Sequence, residues 1–149
     1  MPALLHDPAV RTAIRQRIAS LRPDSVRRWG KMTVDQMLWH CNQGMGQALG
    51  TVPSVPLKAP IPRSLMKIAV FNLPWPRGAP TAPELTAGDQ RFDLESERAR
   101  CLSLIDQVAA RSMDSGGWGP SPAFGHMTGF EWSRLMAKHF DHHLRQFSA

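Results

Sequence analysis

The strongest chemical signal lies near the end of the chain, in Lys138-His139-Phe140-Asp141-His142-His143-Leu144-Arg145-Gln146. Imidazole nitrogen suits zinc, nickel, copper and iron, and magnesium or calcium much less. On a helix, residues three and four apart share a face, so two of these three rings can reach one ion. The helical wheel selects the pair. With about 100° per residue and His139 at zero, the apolar residues Trp132, Leu135, Met136, Phe140, Leu144 and Phe147 centre near about +60°. His143 then lies about 20° from that centre, His139 about 60° and His142 about 120°. His139 and His143 are expected to point inward, and His142 to sit at the margin. The same spacing also fits histidines that are capped, exposed or simply buried. Two ligands are too few for a metal site, so a third must come from elsewhere.

His6, His40 and His126 remain. His6 precedes a helix cap and is expected to be solvated. His126 lies in a loop before another cap and is expected to be exposed. His40 sits between Trp39 and Cys41, beside a polar strip of Gln36, Gln43 and Gln47. That strip suits either the wall of a wet internal cavity or a solvated helix face.

Four long helices are predicted to carry these groups. The first opens on Asp7-Pro8, with Val10, Ile14, Ile18 and Leu21 as its apolar stripe, and stops at Pro23. The second opens on Thr33-Val34-Asp35-Gln36, a capping box, and runs to about Leu49 before Gly50 and Pro53. The third spans about Asp93 to Met113, with Leu94, Cys101, Leu104, Ile105, Val108 and Ala109 on one side. The fourth begins at a second capping box, Thr128-Gly129-Phe130-Glu131, and reaches about Phe147. Residues 51–90 form a proline-rich connection with a short helix near Arg63–Asn72. Leu73–Pro80 is too proline-rich for a regular element. The fold class is therefore all-α, a four-helix bundle with a long crossover between the second and third long helices.

Composition narrows the function classes. The 149 residues suit a single domain, 1–149. No apolar run approaches a membrane span, and the first residues are too short an apolar stretch for a signal peptide, so a cytoplasmic location and no membrane partner are expected. Cys41 and Cys101 form no CxxC pair and read as buried reduced thiols. The net charge is +6, with arginines concentrated at Arg11, Arg15, Arg17, Arg22, Arg27 and Arg28. No groove-reading motif accompanies them and there is no tyrosine, which argues against nucleic acid. Apolar residues in 61–76 are suited to a homodimer contact.

The sequence resembles the DinB-like (damage-inducible) superfamily of metal-binding four-helix bundles. The likeness rests on Met37-Leu38-Trp39-His40 and on the final histidine segment. An uncharacterised, domain-of-unknown-function branch of that superfamily is the most similar in its marks. They are Arg28-Trp29-Gly30-Lys31-Met32-Thr33, Gln36-Met37-Leu38-Trp39-His40, Pro122-Ala123-Phe124-Gly125 and Thr128-Gly129-Phe130-Glu131-Trp132. The resemblance implies a divalent transition metal, zinc or nickel, on His40, His139 and His143. Three protein ligands with an open position is the arrangement of a catalytic site. It further implies a metal-dependent thiol S-transferase or hydrolase acting on a small molecule, such as a low-molecular-weight thiol. Gln36 and Gln43 would line the pocket, with Gln47. Asn42 or Asp141 would orient ligands, and Trp39, Trp75 and Trp132 would wall the cavity or pack the core. The competing reading is a non-catalytic metal-binding or stress-response module. One departure stands out: Ser121 occupies a place where the branch usually carries histidine.

Overall fold

The structure is a computed structural model that describes residues 1–79 and 81–149. Pro80, at the end of the stretch expected to be irregular, lies outside the described residues. Five α-helices follow one another: α1 (Pro8–Ser20), α2 (Val34–Leu49), α3 (Arg63–Asn72), α4 (Leu94–Ala110) and α5 (Gly129–Gln146). A 3₁₀ turn, Pro83–Leu85, lies between α3 and α4. No strand occurs among the described residues; one isolated bridge joins Ser121 and Gly125. The chain is all-α, as its patterning predicts.

Local sequence starts each long helix. The Asp7 carboxylate accepts the Ala9 N–H, and Pro8 supplies a first-turn φ without a wasted donor. Thr128 and Glu131 satisfy each other's backbone N–H groups at the start of α5. Apolar faces then meet. α2 packs on α4 and α5, and α1 packs on the same two helices. The core is built from Ile14 and Ile18, from Met37, Leu38, Cys41 and Met45, from Cys101, Ile105 and Val108, and from Trp132, Met136, Phe140 and Leu144. Both cysteines are buried free thiols, and burial pushes each well above its ordinary value, so neither is a ready nucleophile.

Cations cap helix C-termini, where the last carbonyls lack partners and the helix dipole is negative. Arg98 of α4 donates to the carbonyls of Ile18 and Leu21 at the end of α1. Lys138 of α5 donates to Val70 and Leu73, each at 2.6 Å, and Arg134 donates to Phe71 at 2.8 Å, which fastens the end of α3 to α5. Four of the early arginines are engaged by carboxylates or loop carbonyls. Arg11 holds the carbonyls of Leu5 and His6, Arg15 pairs with Asp106, Arg17 pairs with Asp141, and Arg27 holds the carbonyls of Lys31 and Met32.

Two expectations are corrected. α4 stops at Ala110 rather than near Met113. The chain turns extended at Arg111, whose carbonyl accepts a hydrogen bond from His6 Nε2 at 2.8 Å. His6 is consequently pinned rather than solvated; its Nδ1 accepts from the Ser133 hydroxyl at 2.8 Å.

The long connection lies across the polar strip of α2. The Gln36 amide donates to the carbonyls of Gly88 and Gln90, at 3.1 and 2.7 Å. The Gln47 amide donates to Pro53 O and Glu84 Oε1, at 3.1 and 3.3 Å. Backbone carbonyls brought against a helix need donors, and glutamine amides supply them.

Asp35 fastens the far end of the connection. Its buried carboxylate accepts a fork from Arg91 and the Phe92 N–H. Burial works to raise its pKa, but the Arg91 fork and the backbone donor outweigh that and hold it well below the usual carboxylate range. Its folded pKa lies below its unfolded one. The stabilisation is therefore complete above about pH 4 and declines as pH falls further. Asp35→Asn is expected to lower the melting temperature at pH 7 and to flatten the loss of stability between about pH 4 and pH 2. Thermal melts across that range check this, and an unchanged acid slope refutes it.

Candidate metal centre

His40 lies in the middle of α2, and His139 and His143 are one turn apart on α5. Packing of α2 on α5 brings the three rings together. Their centroids form a nearly equilateral triangle: 4.8 Å from His40 to His139, 4.7 Å from His40 to His143 and 4.6 Å from His139 to His143. The rings meet edge to face, and one nitrogen of each lies within 4.8 Å of those of the other two. His40 and His143 are buried, and His139 is partly buried. Three histidines so placed could hold a metal ion.

Hydrogen bonds aim two of the rings. His40 Nδ1 donates to the Leu85 carbonyl at 2.9 Å, so Nε2 carries the lone pair and faces the cluster. His143 Nδ1 donates to Gln146 Oε1 at 3.1 Å, and the Gln146 amide in turn donates to the Trp29 carbonyl at 2.9 Å. His139 Nε2 lies 2.8 Å from His40 Nε2 and donates its proton to it. These tautomers follow from the bonding network.

Burial lowers the pKa of all three histidines. Its effect on His40 is opposed by the Leu85 hydrogen bond. His139 is held well below its ordinary value by burial and then by its histidine neighbours. His143 is pushed down to about 3 by burial and then by His40, with Gln146 opposing. All three are neutral at pH 7, which is the form that ligates metal.

His142 is turned to the outside. Its ring centroid lies 5.0 Å from His143, 5.3 Å from Trp75 and 6.0 Å from Trp29. Trp75 also flanks His139, at 5.9 Å, and is fixed by its indole N–H on the Val70 carbonyl at 2.8 Å.

The other anticipated site residues lie elsewhere. Gln36 is engaged by the connection as described, and Gln43 Oε1 accepts from Arg100 of α4 at 3.0 Å. Asn42 is fully buried and its amide donates to Glu97 O and Oε2. Asp141 bridges Arg17 and Arg145. Trp39 stacks on Phe92 at 5.0 Å, and the Trp132 indole donates to the Gly119 carbonyl. His126 is exposed. Ser121 is buried, and its hydroxyl accepts the N–H groups of Ala123 and Phe124, closing the turn at Ser121–Gly125.

Three contributors went unassigned in the sequence. Gln146 had a visible signal, since it lies three residues after His143 on the same helix face. Leu85 contributes only a backbone carbonyl, which no side chain announces. Gly30 has φ +82°, and a β-carbon there would overlap the Gln146 amide. The Trp29-Gly30 turn thus holds the residue that aims His143.

An all-helical chain with a buried three-histidine cluster defines a helical protein with a candidate metal centre. The chain belongs to the family described as Protein of unknown function (DUF1569), which it matches over residues 1–149. No curated protein and no solved structure matches it. Among the described residues, no helix is long and apolar enough to cross a membrane.

Proposed function

We propose that this chain is a single-domain, DinB-like four-helix bundle that holds zinc or nickel on His40, His139 and His143. The observation carrying this reading is the triangle of neutral imidazoles, two of them aimed by hydrogen bonds on their far nitrogens. Such outer-shell acceptors are what metal-ligating histidines require. The donor set is all nitrogen, which favours these ions over magnesium or calcium.

The function we infer is metal-dependent transfer or hydrolysis on a small molecule, with a low-molecular-weight thiol as the favoured substrate class and the cytoplasm as its location. A divalent ion bound there would supply an open position at which a water or thiol loses its proton at neutral pH. The chain's own residues keep three rings neutral and aim two of them, and Trp75 flanks His139.

Metal analysis of protein purified without a histidine tag is the deciding experiment. Close to one equivalent of zinc or nickel supports the site, and failure to take up either ion at micromolar concentration refutes it. A thiol-conjugation screen with a chromogenic electrophile then separates an enzyme from a non-catalytic metal-binding module. Gln146→Ala is expected to weaken zinc binding by about 10- to 100-fold, because His143 loses its aim. Competition with a chromogenic chelator measures it, and unchanged affinity removes Gln146 from the site.

A further inference from the structure

Beside the histidine cluster, but not including it, lies an open cleft of about 820 Å³ between α5, the 28–29 turn and the 74–77 loop. That volume falls in the range of small-molecule sites. Its side chains include four cations, Arg28, Arg77, Lys138 and Arg145, against one carboxylate, Asp141. Asp141 is already bridged by Arg17 and Arg145, at 2.9 and 2.7 Å. Arg28 and Arg77 have no ion pair among the described residues. Arg28 is tethered through Nε to the Ser148 hydroxyl, so its two terminal nitrogens stay available. The Arg77 guanidinium rests over the Trp29 ring, 4.6 Å from its centroid, a contact that fixes its plane without consuming its donors. Trp29 and Trp75 supply flat apolar walls, with the His142 ring 6.0 and 5.3 Å from them.

From this arrangement we infer that the cleft binds a small organic oxyanion, a carboxylate or phosphate monoester with a flat apolar body. Arg28 and Arg77 hold the anion, and Trp29 and Trp75 hold the body. Two guanidinium groups with free donors match the fork geometry of either oxyanion. The site goes beyond the metal reading and does not depend on it, because none of the three clustered histidines lines the cleft.

The test is calorimetric titration of the full chain in EDTA with 1-naphthyl phosphate, 1-naphthoate and neutral 1-naphthol. At least one anion is expected to bind about tenfold or more tightly than 1-naphthol, and the tighter of the two anions identifies the oxyanion. The double variant Arg28→Gln/Arg77→Gln is expected to lose about tenfold or more in that affinity. The control Arg22→Gln/Lys58→Gln, which removes two exposed cations outside the cleft, is expected to stay within about twofold of the parent. Three results overturn the assignment: equal affinity for 1-naphthol, an undiminished anion affinity in the cleft variant, or an equal loss in the control. Repeating the titration with zinc present separates the two sites. An anion that binds only with zinc sits on the metal and also overturns the cleft, whereas failed metal uptake with intact anion binding sinks the metal reading alone.

Discussion

Replacing His143 with alanine is expected to weaken zinc binding by more than about 100-fold while the helical circular-dichroism signal stays at its parental level. Loss of a ligand has a larger effect than loss of the residue that aims it. The core of α1, α2, α4 and α5 is one continuous apolar cluster, so the fold is expected to stand without the ion. His40→Ala is expected to behave the same way. His142→Ala is the discriminating control, because its ring faces Trp29 and Trp75, and it should change zinc affinity by no more than about threefold. A loss of zinc in His142→Ala but not in His143→Ala would sink the assignment. The same variants have a signature without metal. His143 is pushed down to about 3 when folded, below its unfolded value, so the metal-free protein loses stability as pH falls through about 6.5. His143→Ala should make that loss smaller in the urea-unfolding profile.

Gly119→Ala is expected to cost about 3 kcal/mol or more, the largest effect of any single-methyl change discussed. A β-carbon at this position would overlap the Gln47 carbonyl oxygen. The backbone cannot retreat easily, because it is held on both sides. The Gly119 N–H donates to the Ala48 carbonyl at 2.8 Å, and the Gly119 carbonyl accepts the Trp132 indole at 2.8 Å. Relief of the overlap therefore sacrifices hydrogen bonds as well as packing. Gly116→Ala is the matched control, with open space around the added carbon, and should stay within about 0.5 kcal/mol of the parent. Urea denaturation of both variants checks the pair. Comparable stabilities would show that the α2 end and the 119 loop separate more easily than their contacts indicate.

Features that depend on neighbours within one or two turns were legible in the sequence. The caps at Asp7 and Thr128, the apolar stripes of α1 and α4, and the inward bearing of His139 and His143 all follow from residues a few positions apart. The short helix at Arg63–Asn72 followed from the same rule. Features set by distant backbone were not. Gln36 and Gln47 are visibly donors, but nothing in their spacing names the carbonyls of Gly88 or Pro53 as acceptors. The extended chain just past α4 is held by His6, more than a hundred residues earlier, through the Arg111 carbonyl. Asn42, expected to orient ligands, is buried with its amide on Glu97.

The hydrogen bond from His40 to the Leu85 carbonyl couples two events that are remote in the chain. An ion that prefers the ring with Leu85 docked must, by reciprocity, hold residues 83–90 against α2 by the same free-energy increment. Amide hydrogen exchange in that segment should slow when zinc is added and recover on chelation, with no change near Ala110. Opening of the segment would then weaken the hold on such an ion, and a bound ion would make that local opening rarer.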